Sequence, residues 1–448
     1  SKPRLDANTQ KPIHIVDSDG TAAGIVNLTI KDIDVSGSDH WNSTSYSGTN
    51  ITISSVTNIT VDGIYMNGHT GATKYMPVIG ISIGDPFGNV EIKNCEIFNN
   101  IGKNRTLRSW SPNHPDVACI VCRDNLIKQE GTIKIHDNVL HDVESDCIQL
   151  AGMLTNTKIY NNKFYHFGEN GLDFKGCDGV EIYDNEMYRG SYGLGGTGGG
   201  LGNIVFHDFT SGSPGYCKNA IIRDNYFHTT DYIGLRLINA TDFNIFRNTF
   251  KNCTNGIQMV TNSRVHIYNN VFDLAEGVPS SAALDAGVYV PASYQNDSQI
   301  YNNTFYIGKN HRYGMYIRKG GLSIKNNIFY CERNNADTYP IRTSDNAKPT
   351  MGTNCYYNPN HTNRVNWNGV VYNSSKLQQF RNDIDSGAIF SDPIFKNPSA
   401  GDFSLRSSSP CILPSGIKLG VLDAFAADFL TTQPSTASFG PPSNLRIQ

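Results

Sequence analysis

Short segments in which apolar and polar residues alternate recur along most of the chain. In one of them, KIYNNKFY at residues 158–165, the apolar residues Ile159 and Phe164 lie on either side of a pair of asparagines. Successive side chains of a strand point to opposite faces, so this segment predicts a strand, a bend and a second strand. The period of two, with many β-branched and aromatic residues, excludes a solenoid of α-helices.

The same segment occurs nine times, and each copy contains an asparagine near the bend. Successive asparagines are mostly 22–24 residues apart, with longer gaps of 44, 40 and 33 residues. A coil of roughly 22 residues has room for three short strands, none of which can bury its apolar side alone. We therefore expect an all-β fold, a right-handed parallel β-helix solenoid with an asparagine ladder. The asparagines are Asn94, Asn138, Asn162, Asn185, Asn225, Asn248, Asn270, Asn303 and Asn327.

A second set of strands begins most coils and predicts which side chains face outward. Their second and fourth residues are apolar, as in GLDFK at 171–175, so their third and fifth residues should point away from the core. The third position is occupied in turn by Gln149, Asp173, Val205, Arg236, Gln258, Tyr289 and Tyr316. The fifth position is occupied by Ala151, Lys175, His207, Ile238, Val260, Pro291 and Arg318.

Ionisable side chains are concentrated in one part of this outward face. Asp146 ends the turn just before the Gln149 strand, so it should join a patch about 15 Å tall at the usual strand spacing. Ionisable groups this dense, on a wall otherwise rich in amides and aromatics, indicate a functional site. The patch consists of Asp146, Asp173, Lys175, His207 and Arg236. The alternative is structural, because Asp173 and Lys175 could form a surface ion pair that contributes under about 1 kcal/mol.

Composition excludes several classes of protein. The chain has 448 residues, of which 38% are hydrophobic and 17% charged, so disorder is not expected. The net charge of −3, with dispersed Lys and Arg, argues against a nucleic-acid partner. The sequence contains no run of 18 apolar residues, so it does not predict a membrane-spanning helix. CIVC at 119–122 has the spacing of a metal or redox pair, but its strand-like alternation favours buried structural cysteines.

The repeat pattern also predicts the domain organisation. Residues 1–345 should form the β-helix, and 346–425 should form irregular C-terminal coils and a cap. Residues 426–448 are predicted to be a linker followed by the start of a possible fibronectin type III module. Insertions at 101–118, 189–200 and 276–286 should lie beside the ionisable patch. The glycine-rich 189–200 segment lacks a following Lys-Ser/Thr and a helix, which favours a flexible rim over a phosphate-binding loop.

The repeat, the asparagine ladder and the coil NGLDFKG at 170–176 resemble the pectate-lyase-like superfamily of right-handed parallel β-helices. The fold resemblance covers roughly residues 12–345. Within the superfamily, the nearest similarity is to polysaccharide lyases that use a Lys base beside calcium-binding Asp residues. The resemblance therefore implies β-elimination on a uronic-acid polymer by a secreted or cell-surface monomer, with an acidic polysaccharide as partner.

The resemblance also assigns roles to the residues of the patch. Lys175 would be the base, Arg236 would bind the uronate carboxylate, and His207 would assist proton transfer. Asp146 and Asp173 would hold Ca²⁺, although no run of adjacent Asp completes a calcium cage. Further contacts to the substrate would come from the outward residues Gln149, Gln258, Tyr289 and Arg318.

Two other functions fit the same residues. Asp146 and Asp173, on adjacent coils, could be the acid and base of a glycoside hydrolase. SDCI at 145–148 resembles part of the Asp-Asp-Cys strand of polygalacturonases, but their Gly-His-Gly strand and Arg-Ile-Lys triplet are missing. The third possibility is a non-catalytic carbohydrate-binding or adhesion module. The crowding of Lys, His and Arg on one face favours a lyase over a hydrolase.

Overall fold

The structure is a computed structural model of the chain. It describes residues 4–6, 13–16, 27–36, 48–56, 58–68, 78–100, 117–123, 131–190, 202–207, 217–274, 286–293, 297–308, 311–332, 338–360 and 363–421. The described residues divide into two compact units, those up to residue 220 and those from residue 221 onward. In the described part of the chain, no helix has the length and apolar character needed to cross a membrane.

Each coil of the first unit contributes to three parallel sheets. The coil that begins at Asp146 shows the pattern, with residues 146–151 in the first sheet, 157–160 in the second and Lys163–Phe167 in the third. The first sheet contains Ile13–Val16, Gly48–Val56, Val78–Phe87, Val117–Arg123, the N-terminal parts of Asp146–Tyr160 and Asn170–Tyr183, and Gly202–His207. The second contains Leu28–Lys31, Ile59–Asp62, Val90–Lys93, Ile133–His136, the C-terminal parts of the same two long strands, and Cys217–Lys218. The third contains Arg4–Asp6, Asp34–Ser36, Tyr65–Asn67, Glu96–Asn100, Val139–Val143, Lys163–Phe167 and Glu186–Tyr188.

The second unit repeats this arrangement. Its first sheet contains the C-terminal parts of Tyr226–Ile238 and Thr249–Val260, then Ala286–Val290, Tyr313–Ile317, Tyr339–Thr343 and Asn363–Trp367. Its second sheet contains Ile221–Arg223, Thr241–Phe246, Ser263–Tyr268, Ser298–Tyr301, Leu322–Lys325 and Thr350–Gly352. Its third contains the N-terminal parts of the two long strands, then Val271–Leu274, Thr304–Ile307, Ile328–Cys331 and Cys355–Tyr357.

Irregular structure follows the last parallel strand, Asn363–Trp367, which lies beyond the boundary predicted at residue 345. An antiparallel strand, Val370–Asn373, pairs with it. The remaining elements are the 3₁₀ helices Ser374–Lys376 and Pro398–Ala400, the α-helix Leu377–Asp383, and the antiparallel pair Phe395–Asn397 and Asp402–Leu405. Buried Phe380, on the α-helix, packs edge-on against Tyr356 and covers this end of the core. The predicted linker at 426–448 lies outside the described residues.

The predicted asparagine ladder is present in both units. The Asn248 side chain donates to Asn270 Oδ1 at 3.0 Å and to the carbonyls of Ile222 and Phe246 at 2.9 and 3.1 Å. An amide both donates and accepts, so the same bond can repeat in every coil. The ladder runs through Asn138, Asn162 and Asn185 in the first unit, and through Asn225, Asn248, Asn270, Asn303, Asn327 and Asn354 in the second.

The assignment of Asn94 to this ladder is wrong. Cys95 holds the ladder position, and its backbone N–H donates to Asn138 Oδ1 at 3.0 Å. Asn94 occupies the preceding position, at a φ of 54°, and its side chain donates to Asp62. Residues at that position have left-handed backbone, which favours Asn and Asp. Two neighbouring positions of the bend thus select asparagine, and a repeat aligned on asparagine can be displaced by one residue.

A carboxylate ends the ladder, and the sequence analysis did not predict it. Asp385 is fully buried and accepts hydrogen bonds from Asn354 Nδ2 at 3.0 Å and from the Tyr356 hydroxyl at 2.9 Å. The backbone N–H groups of Thr353 and Asn354 donate to it at 2.8 and 3.2 Å. Each ladder amide needs an acceptor on the next coil, and a carboxylate supplies that acceptor without a further donor to satisfy.

Stacked aromatic rings fill the core beside the ladder. In the second unit, neighbouring phenylalanine rings are 4.5–4.9 Å apart and nearly parallel. Gly256 is required there, because a Cβ at this position would lie 2.5 Å from the Phe272 ring. Cys119 and Cys122 are also buried in the core, as predicted. The stack consists of Phe227, Phe250, Phe272, Phe305 and Phe329.

Replacing Asn270 by alanine should lower the free energy of unfolding by about 2–4 kcal/mol, because Asn248 then loses its acceptor and two buried carbonyls lose a donor. Denaturant unfolding followed by circular dichroism measures the change. The exposed Asn382→Ala is the matched control and should change stability by no more than about 0.5 kcal/mol. Equal stabilities of the two variants would show that the ladder contributes little.

Candidate functional site

Three neighbouring strands of the first unit bring the predicted residues into register. They are residues 146–151, residues 170–175 and Gly202–His207, all in the first sheet. The aligned pairs are Gln149 with Asp173, Asp173 with Val205, Ala151 with Lys175, and Lys175 with His207. The register predicted from the alternating apolar residues is therefore confirmed.

Asp173 is the centre of this arrangement. Its carboxylate is 3% exposed, and its Oδ1 lies 2.6 Å from His207 Nε2. Its Oδ2 lies 3.3 Å from Lys175 Nζ. About a quarter of the Lys175 and His207 side chains is exposed, 26% and 28%. These three residues, here called the Asp173 cluster, place a buried carboxylate beneath two nitrogen groups that solvent can reach.

Asp173 is held in its ionised form. Burial alone would raise its pKa, but the hydrogen bond with His207 and the charge of Lys175 outweigh burial and lower the pKa below its ordinary value. An ionised carboxylate can orient an imidazole and fix which ring nitrogen carries hydrogen. Proton transfer at this cluster therefore falls to His207 or Lys175.

Asp146 lies in a different environment one coil away. It is 2% exposed, and its Oδ1 accepts hydrogen bonds from the backbone and side-chain nitrogens of Asn170, at 3.2 and 2.9 Å. Burial, followed by the charges of Glu169 and Asp173, raises the pKa of Asp146 well above its ordinary value. The two carboxylates of the site are thus driven towards opposite protonation states.

Gln149 connects these carboxylates. Its Nε2 lies 3.3 Å from Asp146 Oδ2 and 3.5 Å from Asp173 Oδ2, and the side chain is 3% exposed. It is therefore a buried positioning group, which differs from the substrate contact predicted from its outward position. Asn170 was not predicted as a site residue, yet its Oδ1 accepts a hydrogen bond from the backbone N–H of Gly202 at 3.1 Å. Its place at the start of the Asp173 strand was the available signal.

The other predicted residues lie in the second unit, in one column of its first sheet or beside it. Arg236 aligns with Gln258, and Gln258 aligns with Tyr289. Arg318 is ion-paired with Asp345 at 2.7 Å. The Asp173 cluster itself is built entirely from the first unit. Most of each insertion predicted beside the patch, at 101–118, 189–200 and 276–286, lies outside the described residues.

The predicted calcium ligands do not fit a calcium ion. Both oxygens of Asp173 are bound by nitrogen groups, one of which is the cationic Lys175, and both oxygens of Asp146 accept hydrogen bonds. Calcium takes six to eight oxygen ligands, and a lysine ammonium beside it would repel it. Among the residues that the structure describes, no three His, Cys, Asp or Glu side chains are arranged to hold a metal ion.

Comparisons with known proteins confirm the fold. The family model described as the right handed beta helix region matches residues 118–272, about a third of the chain. No curated protein matches the sequence significantly. A mutant tailspike protein of the E. coli bacteriophage HK620, in complex with a pentasaccharide, is 12% identical to this chain, with a TM-score of 0.52. The match covers 85% of this chain and 65% of the tailspike, so the chain spans just under two thirds of the tailspike's length. A PL6 alginate lyase in complex with a trisaccharide is 11% identical with a TM-score of 0.50, over 87% of this chain and 96% of the lyase. The chain thus has the right-handed parallel β-helix fold.

The raised pKa of Asp146 predicts a pH dependence of stability. The unfolded carboxyl ionises near pH 4, whereas burial opposes ionisation in the folded chain, so stability is lost as pH rises through the folded-state pKa. Relative to the native protein, Asp146→Asn should therefore gain stability between about pH 4 and neutrality. Thermal midpoints of both proteins across this range measure the effect. A difference that does not vary with pH would contradict the raised pKa.

Proposed function

We propose that this right-handed parallel β-helix is a polysaccharide-active enzyme, and specifically a lyase that cleaves a uronic-acid polymer by β-elimination. The observation that carries the proposal is the Asp173 cluster, a buried carboxylate that holds His207 and Lys175 at the outer face of the first sheet. Two proteins that share the fold support a carbohydrate ligand, because one is an alginate lyase bound to a trisaccharide and the other a tailspike bound to a pentasaccharide. A polymeric substrate also favours an extracellular location.

His207 is the proposed base. Its Nε2 faces the ionised Asp173, so Nε2 carries the hydrogen in the neutral ring and Nδ1 has the free lone pair. In the elimination, Nδ1 takes the C5 proton, the electrons of that C–H bond form the C4–C5 double bond, and the C4–O bond breaks. The departing oxygen then takes a proton from the imidazolium or from water.

Lys175 is proposed to neutralise the uronate carboxylate, a role different from the base that the family resemblance implies. Its ammonium lies 3.3 Å from Asp173, which stabilises the charged form over the neutral amine that a base requires. A cation beside the substrate carboxylate makes the C5 proton more acidic and stabilises the negative charge that develops there. The two nitrogen groups of the cluster thus supply complementary parts of the reaction.

A glycoside hydrolase is the second candidate, supported by the opposite pKa shifts of Asp146 and Asp173. One protonated and one ionised carboxyl group are what an acid–base pair needs. Asp146 and Asp173, however, are both buried, whereas the His207 and Lys175 side chains are about a quarter exposed. Elimination is therefore the better-supported reaction.

The ultraviolet absorbance of the unsaturated uronate product tests the proposal, with alginate, pectate and hyaluronan as substrates. The native protein should generate absorbance on at least one polymer. His207→Ala and Lys175→Ala should each reduce the rate about a hundredfold or more. Lys158→Ala is the matched control, because Lys158 forms an ion pair with Glu181 on the second sheet, and this variant should retain the native rate.

Two outcomes of that assay would contradict the lyase. New reducing ends without absorbance, lost in Asp146→Asn or Asp173→Asn, would establish a hydrolase. Binding without any cleavage would leave a carbohydrate-binding or adhesion module.

Removal of divalent metal should leave the elimination rate unchanged, because the carboxylates of the site are already bound by nitrogen groups. The rate is measured in excess EDTA and again after calcium is restored. A rate lost in EDTA and recovered with calcium would show that the predicted metal site exists and would contradict the conclusion that Asp146 and Asp173 do not fit a calcium ion.

A further inference from the structure

A column of arginine and tyrosine side chains follows the first sheet of the second unit. The residues are aligned on five successive strands, so its ends are about 19 Å apart at the usual strand spacing. None of these strands carries an acidic residue within the aligned segments 233–238, 255–260, 286–290, 313–317 and 339–343. The arginine–tyrosine column consists of Arg236, Gln258, Tyr289, Tyr316 and Arg342.

Arg342 lies beside two aromatic rings of the neighbouring strand Tyr313–Ile317. Its guanidinium carbon lies 5.4 Å from the centre of the Tyr313 ring and 5.1 Å from that of Tyr316. One guanidinium nitrogen donates to the Tyr313 hydroxyl at 2.5 Å. The centres of these two rings are 5.3 Å apart, so they contact the guanidinium from one side. Together with the hydrogen bond they restrict its orientation, which prepares it to bind a carboxylate through its other N–H groups.

The two arginines of the column have no acidic partner among the described residues. Arg236 is half-buried, its Nε lacks a hydrogen-bond partner, and burial lowers its pKa. On the next strand, Gln258 Oε1 also lacks a partner. Four other arginines of the unit are each paired with an aspartate, namely Arg223, Arg247, Arg264 and Arg318.

We propose that the arginine–tyrosine column is a binding site for a carboxylated glycan. The guanidinium groups at its two ends bind uronate carboxylates, the Gln258 amide binds a hydroxyl, and the partly exposed ring of Tyr316 contacts the C–H face of a sugar. Tyr289 is 5% exposed, so it supports the column and does not make the substrate contact predicted for it from its outward position. A half-buried cation without a counter-ion is unfavourable, so an anionic ligand that supplies the missing charge is stabilised there. The inference shares its substrate class with the proposed lyase, but it requires no cleavage.

Calorimetric titration of the full chain tests the site. The His207→Ala background prevents cleavage, the probes are hexauronates from alginate and from pectate, and cellohexaose is the neutral control. Arg342→Met and Arg236→Met should each weaken hexauronate binding about tenfold or more. The hexauronate affinity of Arg342→Lys should lie between those of the parent and Arg342→Met, because lysine keeps the positive charge but lacks the planar guanidinium group. The matched control Arg264→Met, at an exposed arginine paired with Asp242, should bind as the parent does.

Hexauronate binding that is unchanged in Arg342→Met and Arg236→Met would overturn the inference, as would equal affinity for cellohexaose. Thermal unfolding identifies any variant that fails to fold. In that case the hexauronate affinity of Arg342→Lys decides between the outcomes. The two proposals fail separately. Cleavage by the native chain with binding independent of Arg342 rejects only the column, whereas Arg342-dependent binding without cleavage rejects only the lyase.

Discussion

The hydrogen bond from one ladder asparagine to the next is the interaction on which the rest of the structure depends. Asn270 Nδ2 donates to Asn303 Oδ1 and to two backbone carbonyls, so a single side chain fixes both the bend of its own coil and the register with the next. Since one residue of slippage would turn every outward side chain of a strand inward, this register determines which residues share the outer face. The ladder needs an acceptor where the parallel coils end, and the buried carboxylate of Asp385 provides it.

Fixed register has different chemical consequences in the two units. In the first, it aligns Asp173 with its neighbours so that one buried carboxylate balances the nitrogen groups of Lys175 and His207. In the second, the equivalent column carries two guanidinium groups that no described carboxylate neutralises, and one of them, that of Arg342, contacts two tyrosine rings. The same backbone repeat thus provides a site suited to proton transfer and a surface suited to anion binding. The proposed enzyme requires only the first.

The fold and the register of the site strands could be predicted from the sequence, because alternation and repeat length are local properties. Asn94 was misplaced because two adjacent positions of the bend both favour asparagine. Gln149 was expected to contact substrate, but a side chain on the outer face can still be buried by its neighbours, and a pattern of apolar positions cannot show this. Arg342 was not predicted as part of the column. In its strand Pro340 replaces the glycine found in the other four strands of the column, so this strand was not recognised as a repeat. Asp385 could not be predicted, since its contacts are with residues about 30 positions away.

The central claim is that a uronate sugar binds at the Asp173 cluster with its carboxylate on Lys175 and its C5 proton facing His207. A crystal structure of His207→Ala with a hexauronate tests this most directly. The account predicts a sugar carboxylate within hydrogen-bond distance of Lys175 Nζ and C5 facing the space left by the imidazole. A hexauronate bound only elsewhere, with no sugar carboxylate near Lys175, would contradict it.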